Sequence, residues 1–292
     1  MKRIFIFFLL VVLASCNPGS SGSNKDIISV SIAPFEYFIK EIAGNDFDVN
    51  VIVPAGANPH NYEPYPEQIN YLSRSKAYIS NGYMGFEEAW LNRLYKMNKN
   101  MVKLSLGDNI VPLYSIHSHE NDKGKGIDPH YWVSPKCAYS IATSVKDLLC
   151  TLNPDKRDEY GSNYNILNER ISELDRLADS LFSDAAGHSF LIYHPNLAYI
   201  ARDYNLNEIA IEFEGKEPPP SRFKELIDIA VAENIKTIFV QKEYDKKYAG
   251  SIADEINADI IVIDPLAEDW YGATKSIITG LYRSFTGNTQ TE

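Results

Sequence analysis

The chain has 292 residues, a formal net charge of −11 at pH 7 and 45% hydrophobic residues. This length and apolar content suffice for one large hydrophobic core or two moderate ones. The acidic balance argues against nucleic acid as a partner, because binding to a phosphate backbone requires clustered Lys and Arg.

The first residues predict export from the cytoplasm. Lys2 and Arg3 precede an apolar stretch, residues 4–13, that is too short to span a bilayer, as is typical of a secretory signal peptide. The predicted signal, residues 1–15, ends just before Cys16 in a pattern that resembles the lipobox of bacterial lipoproteins. The alternative is an ordinary signal peptide with a chance cysteine. We expect lipidation of Cys16, a flexible tether over residues 16–26, and a membrane-anchored protein in the periplasm or on the cell surface.

Strand and helix signals alternate over residues 27–152, which we interpret as an N-terminal α/β lobe. An alternation of this kind predicts a mostly parallel sheet covered by helices on both faces. The predicted strands are 28–33, 49–53, 77–80 and 102–104, and the predicted helices are 35–43, 66–75, 86–97 and 135–149.

Residues 153–184 predict one long amphipathic helix. Asn153 and Pro154 are typical of a helix cap followed by proline in the first turn, and apolar residues then recur at steps of three and four. A helix of about 30 residues is about 45 Å long. Because this length exceeds that of an ordinary crossover helix, we interpret the helix as a rigid link between two lobes.

The alternation resumes over residues 185–292, which predict a C-terminal α/β lobe. The predicted strands are 190–193, 208–211, 237–240 and 260–263, and the predicted helices are 197–204, 221–233, 246–256 and 271–285. The fold class is therefore α/β, with two mostly parallel-sheet lobes joined by a single long α-helix. Cys137 and Cys150 fall about 20 Å apart near one predicted helix, too far for a disulfide, and we expect buried free thiols.

Four side chains able to bind a metal recur at intervals of about 70 residues: His60, His130, His194 and Asp264. Each follows a strand-like apolar segment, although only a short Gly-Ile-Asp-Pro segment precedes His130. Ligands of open α/β sheets gather beyond the carboxyl ends of the strands. We therefore predict a metal site between the lobes, with two ligands from each. Taken singly, each histidine can equally be a hydrogen-bonding loop residue, and Asp264 can belong to a turn.

Four segments give the chain a family resemblance. Residues 54–64 (PAGANPHNYEP), 128–132 (DPHYW), 193–199 (YHPNLAY) and 263–266 (IDPL) follow one another in the order and spacing of the ligand loops of solute-binding proteins from bacterial ABC importers of zinc and manganese. The resemblance covers nearly the whole mature chain. It implies two α/β lobes joined by a long helix, with His60, His130, His194 and Asp264 as the metal ligands.

The resemblance also implies a function without catalysis: capture of Zn²⁺ and its delivery to an ABC permease in the inner membrane by a monomeric lipoprotein. Histidine at the third ligand position favours zinc, and manganese is the alternative within the family. A role as a surface adhesin is compatible with a lipoprotein of this family and does not exclude transport.

A zinc-dependent hydrolase is the alternative from another class, because three imidazoles and an open position can activate water. The chain has no His-Glu-x-x-His motif, and Asp264 would occupy the position of the catalytic water.

Two histidines outside the four segments leave a question open. Many zinc-uptake members carry a long His-rich acidic loop before the second ligand, whereas this chain has only His117 and His119 with two carboxylates there. These residues either hold a second ion weakly or belong to a solvated loop. We expect His188, at the end of the long helix, to be a packing or surface residue.

Overall fold

The computed structural model describes residues 25–60, 62–114, 126–212 and 219–287. The predicted signal peptide, Cys16, His117 and His119 lie outside the described residues. Within the described residues, no helix combines the length and apolar character that crossing a membrane requires.

The predicted alternation of strands and helices is confirmed. The strands are β1 Asp26–Ile32, β2 Phe47–Val53, β3 Ala77–Ser80, β4 Val102–Ser105, β5 Ser189–Ile192, β6 Asn207–Ala210, β7 Thr237–Gln241 and β8 Asp259–Ile263. The helices are α1 Ala33–Ala43, α2 Pro66–Arg74, α3 Gly85–Met97, α4 Pro135–Leu152, α5 Arg157–Phe182, α6 Ala198–Asp203, α7 Pro220–Ala232, α8 Lys247–Ile256 and α9 Trp270–Thr286.

The strands form two four-stranded parallel sheets with the same topology. The order is β2-β1-β3-β4 in the first sheet and β6-β5-β7-β8 in the second. In each sheet the chain moves from an inner strand to one edge and then crosses to the other side. The carboxyl ends of the strands therefore frame a crevice at the point where the order reverses, which is the usual place for a ligand in such sheets.

The two lobes share a hydrophobic core. One buried cluster extends from the first sheet across α1, α4 and α5 to one face of the second sheet, where Phe190 and Ile192 belong to it. Leu191, between them, points to the opposite face and packs in a second cluster beneath α7 and α8, as the two-residue period of a strand requires. Because the shared cluster crosses between the lobes, their separation would expose apolar side chains to water.

Helix α5 connects the lobes and packs against α1, α4 and α9. Its buried face contains Tyr160, Leu167, Ile171, Leu174, Ala178 and Phe182. The predicted stripe has the first five of these, together with Tyr164 and Leu181, which are half-buried. Asn153 lies at the predicted cap position with Pro154 in the first turn, but its side chain does not cap the helix. Asn153 precedes a separate 3-10 turn, Pro154–Lys156, and makes no side-chain cap bond; its amide instead donates to the Tyr160 hydroxyl at 3.4 Å.

The two cysteines of the described residues are free and buried on α4, as expected. Burial raises the pKa of the Cys137 thiol to about 11. This thiol is therefore protonated at neutral pH and unreactive. The stability of the described fold derives from packing and not from a cross-link.

Candidate metal centre

Three of the four predicted ligands meet in the crevice between the lobes. The Nε2 atoms of His60 and His194 are 3.0 Å apart, those of His60 and His130 are 3.2 Å apart, and those of His130 and His194 are 3.4 Å apart. His130 and His194 are buried. His60 is exposed as a residue, but the Nε2 atom of its imidazole lies against theirs, within the group. Residues from distant parts of the chain thus direct three imidazole nitrogens at one point.

A carboxylate behind each buried histidine orients its ring. His130 Nδ1 lies 2.8 Å from Asp128 Oδ1, and His194 Nδ1 lies 3.0 Å from Glu212 Oε2. A carboxylate accepts a hydrogen bond, so Nδ1 carries the proton in each ring and Nε2 keeps its lone pair. Pairing of this kind is what metal-binding histidines usually show. Both lone pairs therefore point into the group and are available to a cation.

The spacing of the three nitrogens suits a tetrahedral ion. With zinc–nitrogen bonds of 2.0–2.1 Å, the edges of a regular tetrahedron are about 3.3–3.4 Å. The three Nε2 separations of 3.0, 3.2 and 3.4 Å lie at this length or slightly below it. The three imidazoles can accordingly form one face of a tetrahedral site, which leaves one corner for a fourth ligand.

Asp264 is not part of this group in the structure. Among the described residues, the candidate metal-binding group comprises the three histidines alone. Asp264 directly follows β8, as predicted, but its Oδ2 lies 3.0 Å from Lys242 Nζ. Its ligand role stays a prediction. Glu243 is a further carboxyl group on this side, and burial together with the charge of Asp264 raises its pKa.

The loop that holds His130 does not directly follow a strand of the first sheet along the sequence, since β4, the last strand of that sheet, ends at Ser105. Ile127 makes only an isolated antiparallel bridge to Tyr114, and His130 precedes a 3-10 turn, Tyr131–Val133, that leads into α4. The expectation that His130 follows a strand of the sheet is therefore wrong. Side-chain hydrogen bonds, and not a strand, fix its position.

Asn81, at the end of β3, supplies those bonds. Its amide donates to the Pro129 carbonyl at 2.9 Å, and its own carbonyl accepts from the Tyr131 hydroxyl at 2.8 Å. The buried carboxylate of Glu87 in turn accepts from the backbone N–H groups of Asn81 and Gly82 at 2.8 and 2.7 Å. Residues on both sides of His130 are thus tied to the carboxyl end of the first sheet.

The backbone of His194 is fixed by a buried glutamine. Gln241, the last residue of β7, donates from Nε2 to the His194 carbonyl at 2.6 Å and accepts from the His194 N–H at 3.2 Å. The ring of Tyr244 stacks on the imidazole, with centroids 5.1 Å apart and an angle of 17°. The Tyr244 hydroxyl also accepts a 3.2 Å hydrogen bond from Asn58 of the opposite lobe. This contact joins the two lobes beside the histidines.

Two indole groups connect the His130 loop to the Asp264 loop. Trp132 donates from Nε1 to the Pro265 carbonyl at 2.8 Å, and Trp270 donates from Nε1 to the Trp132 carbonyl at 2.6 Å. Both indoles are buried, where a lost hydrogen bond is costly. The first of these hydrogen bonds holds Pro265, the residue after Asp264, beside the loop that carries His130.

Burial keeps the imidazoles of His60 and His194 neutral. It lowers the pKa of His60 to about 2, and the neighbouring His130 and His194 lower it further in the same direction. Burial also lowers the pKa of His194, against the hydrogen bond to Glu212, which raises it. Neutral imidazole is the form that binds metal. These two imidazoles are therefore neutral at neutral pH without a metal to displace a proton.

These shifts predict the acid sensitivity of the metal-free protein. A histidine whose folded pKa lies below the unfolded value of about 6.5 contributes stability that is complete above pH 6.5 and declines as the pH falls towards the folded value. We therefore compare the melting temperature of His60→Asn with that of the unsubstituted protein at two pH values. We expect the difference, variant minus unsubstituted protein, to be more positive at pH 5 than at pH 7.5. Thermal unfolding of the chelator-treated protein measures this difference.

The control for this experiment is His188→Asn, since His188 contacts Phe285 with a ring separation of 5.2 Å and lies at the amino end of β5, at the opposite end of this strand from His194. Both variants are measured at pH 5 and at pH 7.5. A His60→Asn effect that does not depend on pH would contradict the lowered pKa.

Sequence patterns alone did not identify the carboxylates that support His130 and His194. Asp128 lies two residues before His130, and Glu212 lies two residues after the end of β6. Their position near a ligand or near a strand end was an available signal for both. Gln241, at the end of β7, had the same kind of signal. Tyr244 lacks one, because its role depends on which loops the fold brings together.

The comparison with known families decides the relationship. The family described as zinc-uptake complex component A, periplasmic (ZnuA), matches residues 28–282. This chain belongs to that family. Its members are solute-binding proteins of zinc uptake by ABC importers and not enzymes, which confirms the expectation that this ZnuA-family chain is not an enzyme.

Solved structures and a curated relative agree with this membership. A crystal structure of ZnuA is 36% identical, covers 89% of this chain and 99% of its own, and has a TM-score of 0.83. A zinc-bound ZnuA deletion mutant is 34% identical, covers 92% and 100%, and has a TM-score of 0.81. The zinc-binding lipoprotein AdcA of Streptococcus pneumoniae is 27% identical over 282 residues. That match covers 91% of this chain, and the chain spans about half the length of the AdcA relatives.

The predicted fold, with two lobes joined by one long helix, is confirmed.

Proposed function

We propose that this protein captures Zn²⁺ in the crevice between its lobes and delivers it to the permease of an ABC importer. The observation that carries the proposal is the convergence of three Nε2 atoms, those of His60, His130 and His194, within 3.4 Å of one another. In this proposal Asp264 is the fourth ligand. The zinc-binding relatives support the choice of metal.

The donor set favours zinc over manganese. Imidazole nitrogen suits zinc, whereas manganese prefers oxygen-rich sites. Asp128 and Glu212, the carboxylates nearest to the three imidazoles, are engaged by the histidine Nδ1 atoms. With Asp264 as its one carboxylate ligand, the proposed site has three nitrogens and one oxygen, which is a common zinc arrangement.

The location and organisation of the protein form part of the same proposal. We infer export by the signal at residues 1–15, lipidation of Cys16 and a tether over residues 16–26, which keeps a monomer near its permease. The AdcA relative that is named a lipoprotein supports the anchor. The division into lobes at residues 27–152 and 185–292, with residues 153–184 between them, remains our proposal for the domain boundaries.

A competitive titration tests the choice of metal. We expect the purified protein to bind about one Zn²⁺ per chain and to keep it in the presence of a large excess of Mn²⁺. The measurement is the metal content after equilibrium dialysis against both ions, together with the zinc Kd from a chelator of known affinity. Retention of manganese at equal or higher occupancy contradicts the zinc assignment, and binding of neither metal contradicts the proposed function.

A further inference from the structure

The residue beside the proposed fourth ligand is a lysine. Strands β7 and β8 pair in parallel with Gln241 opposite Ile263, and the Lys242 N–H donates to the Ile263 carbonyl at 2.9 Å. Lys242 and Asp264 are therefore the first residues beyond the ends of two neighbouring strands. Their side chains meet there, with Nζ 3.0 Å from Oδ2.

This ion pair competes with metal ligation. A carboxylate oxygen that accepts a hydrogen bond from an ammonium group has a weakened capacity to bind a cation, and the positive charge of Lys242 itself repels Zn²⁺. The Lys242 side chain is 61% exposed and that of Asp264 is 32% exposed. Exposed pairs of this kind are weak and easily exchanged. An incoming ion can thus take Asp264 away from Lys242 without a large barrier.

A second carboxyl group lies near the ion pair. Glu243 lies next to Lys242 in sequence, and its pKa is raised first by burial and also by the charge of Asp264. The carboxyl groups of Asp264 and Glu243 are therefore close enough to affect each other, and Lys242 pairs with the first and adjoins the second in sequence. Lys242 offsets their charge in the metal-free protein and opposes a dication when one arrives.

We propose that Lys242 sets the affinity of the site by holding Asp264 away from the three histidines, so that capture transfers the carboxylate from the ammonium group to the ion. Release reverses the exchange, since Lys242 takes Asp264 back as the ion leaves. The inference rests on the proposed function. It assigns to Lys242 a role in lowering affinity and speeding release, without direct contact with the metal.

The test is Lys242→Met, measured by zinc Kd in chelator competition and by the rate of zinc release to excess chelator in stopped flow. We expect an affinity about two- to fivefold higher, which corresponds to an exposed ion pair, and a correspondingly slower release. The difference should shrink at high salt, because added ions screen exposed charges.

Lys99→Met is the matched control. Lys99 is an exposed lysine just before β4, at the amino ends of the strands and thus at the opposite edge of the sheet from the site. Its substitution changes the net charge equally and should leave both the zinc Kd and the release rate unchanged. An equal effect of the two substitutions shows a general charge effect and overturns the proposal.

A double-mutant cycle with Asp264→Asn separates the possible failures. If Lys242 acts through Asp264, Lys242→Met has no effect in the Asp264→Asn background. The proposal is overturned if the effect persists there, if Lys242→Met alone changes nothing, or if Asp264→Asn leaves zinc affinity unchanged. Each of these three results overturns the role of Lys242 but leaves the proposed function intact, because the unsubstituted protein still binds zinc. Failure of the unsubstituted protein to bind zinc instead contradicts the proposed function itself.

Discussion

Replacing His130 with alanine is expected to weaken zinc binding by at least about 100-fold. A structural zinc site contributes about 10–16 kcal/mol through four ligands, so the loss of one ligand costs about 3 kcal/mol or more, and each 1.4 kcal/mol is a factor of ten. His130 is a buried member of the three-histidine group. The substitution also leaves the Asp128 carboxylate without its imidazole partner. The measurement is the zinc Kd by chelator competition.

The matched control is His188→Ala. His188 contacts Phe285 and is not a member of the metal-binding group found among the described residues. Its substitution should leave the zinc Kd unchanged while causing a comparable loss of one imidazole from the chain. Circular dichroism on both variants verifies that the fold is retained. Unchanged affinity in His130→Ala removes this residue from the ligand set.

Replacing the carboxylates behind the histidines is expected to have the second largest effect. Substitution of groups that orient metal-binding histidines typically costs 10–100-fold in metal affinity. Asp128→Asn and Glu212→Gln keep the size of each side chain but remove the negative charge that holds the Nδ1 proton. An amide can also present its NH₂ group to Nδ1, which favours the other tautomer and directs a proton towards the metal.

Asp179→Asn is the control for these two variants. Asp179 is an exposed carboxylate that pairs with Lys136 on the outer side of α5, and its removal should not change the zinc Kd. If Asp128→Asn and Glu212→Gln both bind zinc as tightly as the unsubstituted protein, the carboxylates do not set the tautomers. Loss of the orientation of the imidazole rings changes the pH dependence of zinc binding, whereas loss of packing alone does not. Zinc affinity measured over a range of pH therefore distinguishes the two effects.

Local patterns predicted most of the fold. Strands such as β1 and β7 are short segments rich in β-branched residues, and the stripe on α5 repeats with the helical period. These signals depend on burial of neighbouring side chains and are therefore visible in a short stretch of sequence. The start of α5 was less predictable, because the competing hydrogen bond from Asn153 to Tyr160 forms only after the helix has packed.

The candidate site was predictable as a list of residues but not as a geometry. The positions of His60, His130 and His194 followed from the ligand-loop motifs, and the structure brings these three together. The ion pair between Asp264 and Lys242 had no sequence signal, because it depends on the parallel register of β7 and β8. The same is true of the cross-lobe contact between Asn58 and Tyr244.

The sequence by itself determined the class of fold, the order of the elements and the histidines of the site, since periodicity and motif spacing are local properties. Only the tertiary structure decided which nitrogen of each buried imidazole faces the crevice and where the carboxylate of Asp264 rests. The orientation of a ring depends on Asp128 and Glu212, whose hydrogen bonds the packed structure creates. The place of Asp264 depends on a competition between a lysine and three imidazoles, and that competition exists only when two separate strands end side by side.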